Sequence, residues 1–208
     1  AKQARDRKNQ AILPLRGKIL NVASATRDKL NANQQLGDLL QALGCGTGDK
    51  YREDDLRYEK VIIMTDADVD GAHIASLLIT FFYRLMPALI EQGHLYMAVP
   101  PLYRLVQGTK SAYARDDAHK DELLADEFSG RGKVEISRFK GLGEMLPAQL
   151  KETTMKPDNR TLLQVHMAQS EAEITARVVK QLMGNKPEDR FNFITERAQF
   201  VDDVELDI

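Results

Sequence analysis

The apolar residues in the first part of the chain follow helical and strand-like spacings in turn. The opening residues AKQARDRKNQ are helix-prone and lack a capping signal, which predicts the later part of a helix. A short apolar run after Pro14 and Gly17 predicts a strand over residues 18–22. Leucines then recur at helical spacing and predict a helix over residues 33–43, which the glycines of GCGTGDK end.

A β-branched run, Val61–Met64, is short enough for a buried strand, and the apolar stretch that follows it predicts a long helix. This helix would open at Asp70 and end near Pro87 or Gly93, before a further strand in HLYMAVPPLYRL. A helix between two strands is the usual crossover of a parallel sheet. The order of elements therefore predicts an α/β fold with a mostly parallel sheet.

The second half of the chain has a different pattern. It contains short strand candidates in SAYAR and KVEISRF, a glycine-bearing loop in RFKGLGEM, and polar helices from residue 170 onward. We therefore predict an α/β domain over residues 1–105 and an appended α+β carboxyl-terminal subdomain over residues 106–208.

Composition and charge exclude only a few classes of protein. No apolar run approaches the roughly 20 residues of a membrane helix and no cleavable signal is present, so we expect a cytoplasmic protein without a membrane partner. The single Cys45 predicts neither a disulfide nor a zinc site. Residues 1–30 carry eight Lys and Arg against two Asp, and residues 187–208 carry two Arg against seven acids. The basic segment favours a polyanion such as nucleic acid, although a solvated charged face explains the charge equally well.

The sharpest chemical signal is a set of three aspartates, Asp66, Asp68 and Asp70, directly after the strand candidate. Crowded carboxylates repel one another, and a multivalent cation stabilises such an arrangement. In the alternative interpretation, Asp70 caps the following helix and the other two are solvated, but capping accounts for only one of the three. Carboxylates at the carboxyl end of a strand face the ligand crevice of an open α/β sheet. Hard oxygen ligands suit Mg²⁺, so we predict a magnesium and phosphate site.

An EF-hand calcium loop also begins D-x-D-x-D-G, but two features exclude it. The twelfth position of the loop is Leu77, where calcium binding needs a bidentate Glu. The element that enters the loop is a predicted strand rather than a helix.

The stretch DADVDGAHI after a strand resembles the acidic motif of the Toprim fold, which topoisomerases, bacterial primases and some nucleases share. The blocks AKQARDRKNQAILPLRGKILNV, LGCGTG, PPLYRL and RFKGLGEM resemble the B subunits of bacterial type IIA DNA topoisomerases, over most of residues 1–165. Ala72 and Ala75 stand where gyrase chains usually have Ser and Arg. The resemblance therefore favours topoisomerase IV over gyrase.

The resemblance implies a Rossmann-like Toprim domain whose first strand, with the catalytic glutamate, would lie upstream of Ala1. It implies that Asp66 and Asp68 are catalytic Mg²⁺ ligands and that Asp70 is a weaker ligand or the partner of a ligand. The positions that it implies for DNA contact are Arg16, Lys18, Asn21, His73, Lys140 and Arg190. For His73 and Arg190, an ordinary helix-surface residue is the alternative.

The same resemblance implies the partners. They are double-stranded DNA, a topoisomerase A subunit in an A2B2 heterotetramer, and quinolone-type inhibitors near Arg16, while ATP would be used by an upstream domain. A tyrosine of the A subunit cleaves DNA in this family, so the chain would assist double-strand cleavage and religation in decatenation and relaxation. Three alternatives stay open: a gyrase B fragment, a scaffold that docks DNA and the A subunit without chemistry, and a Toprim nuclease or primase.

Overall fold

Two three-stranded sheets organise the protein in a computed structural model that describes residues 1–130 and 132–198. The helices are α1 (Arg27–Ala32), α2 (Gln34–Leu43), α3 (Val69–Leu85), α4 (Pro87–Glu91), α5 (Asp117–Asp126), α6 (Pro147–Leu150), α7 (Ala172–Met183) and α8 (Pro187–Ala198). The strands are β1 (Val61–Ile63), β2 (Leu95–Val99), β3 (Tyr103–Gln107), β4 (Lys110–Ala114), β5 (Glu135–Arg138) and β6 (Thr161–Gln164).

The first sheet has the order β1-β2-β6 and confirms the α/β class. Strands β1 and β2 are parallel, and α3 and α4 form the crossover between them, as the sequence predicts. Strand β6 is antiparallel to β2, with Val99 opposite Thr161, so only the β1–β2 pair of this sheet follows the predicted parallel arrangement. The chain therefore returns to the first sheet after it has formed the second one, while the division at residue 105 stays a prediction.

The main core lies around α3 and the crossover. Phe81 and Phe82 are fully buried, and their rings meet edge to face with centroids 5.2 Å apart. The predicted long helix is interrupted at Met86, because Pro87 has no backbone N–H and begins α4 instead. Cys45 is also buried, and this burial raises the pKa of its thiol.

Two predictions for the amino-terminal region are wrong. Residues 1–10 form turns rather than a helix, because Asp6 Oδ1 accepts a hydrogen bond from Lys8 N and Ala4 is buried against the carboxyl-terminal half. Residues 18–22 form no strand, because Asn21 Oδ1 accepts a hydrogen bond from Ala23 N at 3.0 Å and so closes a turn. Asparagine competes with strand formation in this way because its side chain bonds to the local backbone.

The second sheet is antiparallel, with the order β4-β3-β5. It confirms the strand candidates in SAYAR and KVEISRF, and its own small core contains Leu105, Ala114, Leu123 and Phe128. The polar helices predicted after residue 170 are α7 and α8. Among the helices of residues 1–130 and 132–198, none is both long and apolar enough to cross a membrane.

Candidate functional site

The acidic loop, defined as residues 66–70, lies after the carboxyl end of β1 and includes the first two residues of α3. Asp68 is the N-cap of α3, and its Oδ1 accepts a hydrogen bond from Gly71 N at 2.6 Å. The alternative interpretation that Asp70 is the cap is therefore wrong, and α3 begins at Val69. The positive end of the helix dipole points at the loop and favours negative charge there.

Asp66 is held from a distant part of the chain. Its Oδ1 accepts a hydrogen bond from Leu142 N at 2.7 Å, in the motif RFKGLGEM. Two glycines leave room for it: a Cβ on Gly71 would lie 2.0 Å from the Asp66 carbonyl oxygen, and a Cβ on Gly141 would lie 3.0 Å from Asp66 Oδ1. A side chain at position 71 would force the backbone to move, whereas one at position 141 would displace the Asp66 carboxylate by a few tenths of an ångström.

Asp70 has a different partner from those of Asp66 and Asp68. Lys18 Nζ lies 2.7 Å from Asp70 Oδ1, and this hydrogen bond holds the pKa of Asp70 below its ordinary value. Two residues predicted for different tasks, a metal ligand and a DNA contact, thus form an exposed ion pair.

The three aspartates consequently do not form one cluster. Over the two described ranges, no group of three or more His, Cys, Asp and Glu side chains is arranged to hold a metal ion. Asp66 and Asp68 are both exposed, and their side-chain hydrogen bonds to described residues use Oδ1, which leaves Oδ2 open to a cation. The assignment of all three as metal ligands stays a prediction.

The motifs that carry the resemblance converge on this loop. Phe139 N of RFKGLGEM donates a hydrogen bond to Leu102 O of PPLYRL at 2.8 Å. A cavity of about 10 Å³, the size of one water molecule, is lined by Ala67, Pro100, Pro101, Leu102, Phe139, Gly141, Leu142 and Met145. Sequence reasoning missed the contact of Gly141 and Leu142 with Asp66, for which the paired glycines of RFKGLGEM were the available signal.

Three of the predicted DNA-contact residues line a second, open cleft of about 420 Å³. They are Asn21, His73 and Arg190, and the rest of the lining comes from Ser24 and residues 182–185. Asn21 Nδ2 donates to Met183 O at 2.9 Å, and Arg190 Nη1 donates to Gly184 O at 2.6 Å. Arg190 is therefore a half-buried residue that anchors the turn between α7 and α8, rather than a solvated helix residue.

The other three predicted DNA contacts are exposed. Arg16 accepts a hydrogen bond from Gln35 Nε2 through its carbonyl oxygen, and its guanidinium is on the surface. Lys18 is paired with Asp70, as described above. Lys140, one residue before Gly141, has an exposed side chain. Its backbone N donates to Glu144 Oε2 at 2.8 Å.

Comparisons with known proteins match two regions of the chain to protein families. The Toprim domain family matches residues 1–100, and the family described as DNA gyrase B subunit, carboxyl terminus, matches residues 131–195. The B subunit of DNA topoisomerase 4 from Bartonella bacilliformis is 66% identical over 206 residues, which are 99% of this chain and 30% of the relative. The chain belongs to the B subunits of bacterial type II DNA topoisomerases.

Within the B subunits, the preference for topoisomerase IV is confirmed. The B subunit of DNA topoisomerase 4 from Caulobacter vibrioides is 66% identical over all 208 residues of the chain and 30% of its own length. The B subunit of DNA gyrase from Halalkalibacterium halodurans is 50% identical over 99% of the chain and 32% of its own length. The chain thus spans about a third of the length of these relatives and corresponds to their Toprim and carboxyl-terminal regions.

Proposed function

We propose that this chain supplies the acidic part of a DNA cleavage and religation centre in an ATP-dependent type II topoisomerase of the topoisomerase IV kind. The observation that carries the proposal is the position of Asp66 and Asp68, exposed after β1 and beside the amino terminus of α3. Open α/β sheets bind ligands at this end of their strands, and helix amino termini favour phosphate. The likeness to topoisomerase 4 B subunits supports the same reaction.

The donor set fits Mg²⁺. This ion usually binds one or two carboxylates and completes its coordination with water and phosphate oxygens, and Asp66 and Asp68 each leave Oδ2 open. Asp70 is engaged by Lys18, so we assign it a supporting position beside the site. When bound, Mg²⁺ would stabilise negative charge on the transferring phosphate and on the leaving 3′-oxygen.

The residues of the chain have separate tasks in this proposal. Asp66 and Asp68 hold the cation, and an upstream glutamate completes the centre. The exposed cations Arg16 and Lys140 contact the phosphates of double-stranded DNA and keep it in register. The A subunit, in an A2B2 assembly, provides the tyrosine that attacks the phosphate, so the six tyrosines of this chain are structural.

The same proposal places the protein with chromosomal DNA in the bacterial cytoplasm, where decatenation serves chromosome segregation. Quinolone-type inhibitors would bind near Arg16, close to the cleaved phosphate. ATP would be hydrolysed by a domain upstream of this chain.

The reaction is tested with the full-length B subunit, its A subunit and supercoiled DNA. We expect Mg²⁺-dependent double-strand cleavage with the DNA 5′ ends attached to the A subunit, detected by denaturing electrophoresis of samples with and without proteinase treatment. Binding of DNA and the A subunit without a cut would show a scaffold. Cleavage that leaves no protein on the DNA would show a nuclease.

Lys18→Glu is expected to weaken DNA binding and to lower the salt dependence of the binding constant. Because exposed ion pairs contribute little to stability, a DNA phosphate can displace Asp70 from Lys18. Losing one phosphate contact lowers the slope of log K against log salt by about 0.9. Fluorescence anisotropy between low and moderate salt measures this slope.

The matched control is Lys60→Glu. Lys60 also pairs with a neighbouring acid, Glu59, but it precedes β1 and so lies at the opposite end of that strand from the acidic loop. An unchanged slope in Lys18→Glu, or an equal change in both variants, would exclude Lys18 as a specific phosphate contact.

A further inference from the structure

We infer that the turn formed by Gly141 and Leu142 positions Asp66, so that the affinity of the acidic loop for a divalent cation depends on the carboxyl-terminal half of the chain. The inference rests on the proposed function, since it deepens the metal site assigned there. Leu142 N donates to Asp66 Oδ1 at 2.7 Å, across 76 positions of sequence. Oδ1 is committed to this hydrogen bond, and Oδ2 accepts no hydrogen bond from the described residues.

The backbone of Gly141 does not itself require glycine. Its φ of −167° and ψ of 170° are extended values that any residue adopts. A Cβ at this position would lie 3.0 Å from both Cγ and Oδ1 of Asp66. Any larger side chain would therefore push the carboxylate away from its present orientation.

The turn is itself fixed by contacts outside the acidic loop. Phe139 N donates to Leu102 O, and Lys140 N donates to Glu144 Oε2, each at 2.8 Å. The half-buried side chains of Phe139 and Leu142 pack against a buried cluster of Ala4, Met145, Leu150 and Met155. An anchored donor can orient an exposed carboxylate, whereas a mobile one could not, and groups that orient metal ligands typically change metal affinity by about 10- to 100-fold.

Two pairs of variants separate this effect from general damage to the turn. Gly141→Ala intrudes on Asp66, while Gly143→Ala, in the same turn, meets no heavy atom within 4 Å. Leu142→Pro removes the donating N–H at the first position of a short helical turn, where proline is tolerated, and the extended Gly141 suits the residue before proline. Leu142→Ala keeps the N–H and loses one packing contact of the turn, while the bonds of Phe139 N and Lys140 N that also fix the turn remain.

The measurement is Mn²⁺ binding to the full-length subunit without nucleotide, followed by electron paramagnetic resonance, with Mn²⁺ as the probe. Asp66→Asn defines the fraction of binding that belongs to the acidic loop. We expect Gly141→Ala and Leu142→Pro to weaken that fraction by about 10-fold or more. Gly143→Ala and Leu142→Ala should stay within about threefold of the unmodified protein, because both keep the bond to Asp66. Thermal unfolding of each variant confirms that it is folded.

The possible failures are distinct. If Asp66→Asn binds Mn²⁺ as the unmodified protein does, or the unmodified protein binds none, the proposed metal site is wrong and the inference falls with it. If Asp66→Asn loses binding but each test variant matches its control, the metal site stands and the positioning role is wrong.

Discussion

Asp66→Asn is expected to lower Mg²⁺-dependent DNA cleavage by at least about 100-fold, the loss typical of removing one group that stabilises transition-state charge. The change removes the negative charge that holds the cation, yet the asparagine oxygen can still accept the hydrogen bond from Leu142 N. The fold around the loop should therefore survive. Cleavage is measured by quantifying the DNA attached to the A subunit at a series of Mg²⁺ concentrations.

ATP hydrolysis by the same full-length variant should be largely unchanged, because the proposed ATP site is in another domain. Asp54→Asn is the matched control, since Asp54 is an exposed acid in a short helical turn before β1. Its neighbour Glu53 bonds to His94, just before β2, so this turn lies at the end of the sheet opposite the acidic loop. Cleavage by Asp66→Asn with an unaltered Mg²⁺ dependence would contradict the assignment of Asp66 as a ligand.

Gly71→Ala is expected to lower the free energy of unfolding by about 3 kcal/mol, at the upper end of the usual cost of overpacking. The added Cβ would lie 2.0 Å from the carbonyl oxygen of Asp66, so the backbone of α3 or of the acidic loop must move. The same movement displaces both Asp66 and Asp68, and cleavage should fall together with stability. Urea unfolding of the full-length subunit, followed by circular dichroism, gives the midpoint and the slope of the transition.

Gly37→Ala provides the comparison for this change. Gly37 is an exposed helical glycine of α2, and a Cβ at this position would meet no heavy atom within 4 Å. Alanine should therefore raise stability by up to about 1 kcal/mol through its higher helix propensity. If Gly71→Ala is as stable as the unmodified protein, the close approach of Gly71 and Asp66 is not a constraint on the fold.

The spacing of apolar residues was sufficient to predict the strands and helices that depend on their own sequence alone. Within the run Val61–Met64, Val61–Ile63 form β1, and the apolar stretch after the run forms α3, because each buries side chains at the spacing that its sequence shows. The pattern failed at residues 18–22, where Asn21 bonds to its own turn and to Met183. That second bond spans 162 positions, and a local pattern carries no information about it.

The same limit applies to the candidate site. The spacing of three aspartates predicts carboxylates beside a strand end, and the structure places them there. Asp66 and Asp70 bond to Leu142 and Lys18, and these partners were not predictable from spacing because they depend on how distant segments pack. The cap assignment erred by two residues, because Asp68 and Asp70 are equally good capping types and only the backbone decides between them.

Val99 of β2 pairs with Thr161 of β6, and this pairing bears on how insertions between them would affect the sheet. Residues 100–160 leave and rejoin the first sheet at adjacent points of one ladder, so they form a closed excursion rather than an extension. The entropy of closing a chain segment grows only slowly with its length. The length of this segment can therefore vary at little cost to the pairing of β2 with β6, whereas a change in its Gly141–Leu142 turn would alter the contacts of Asp66.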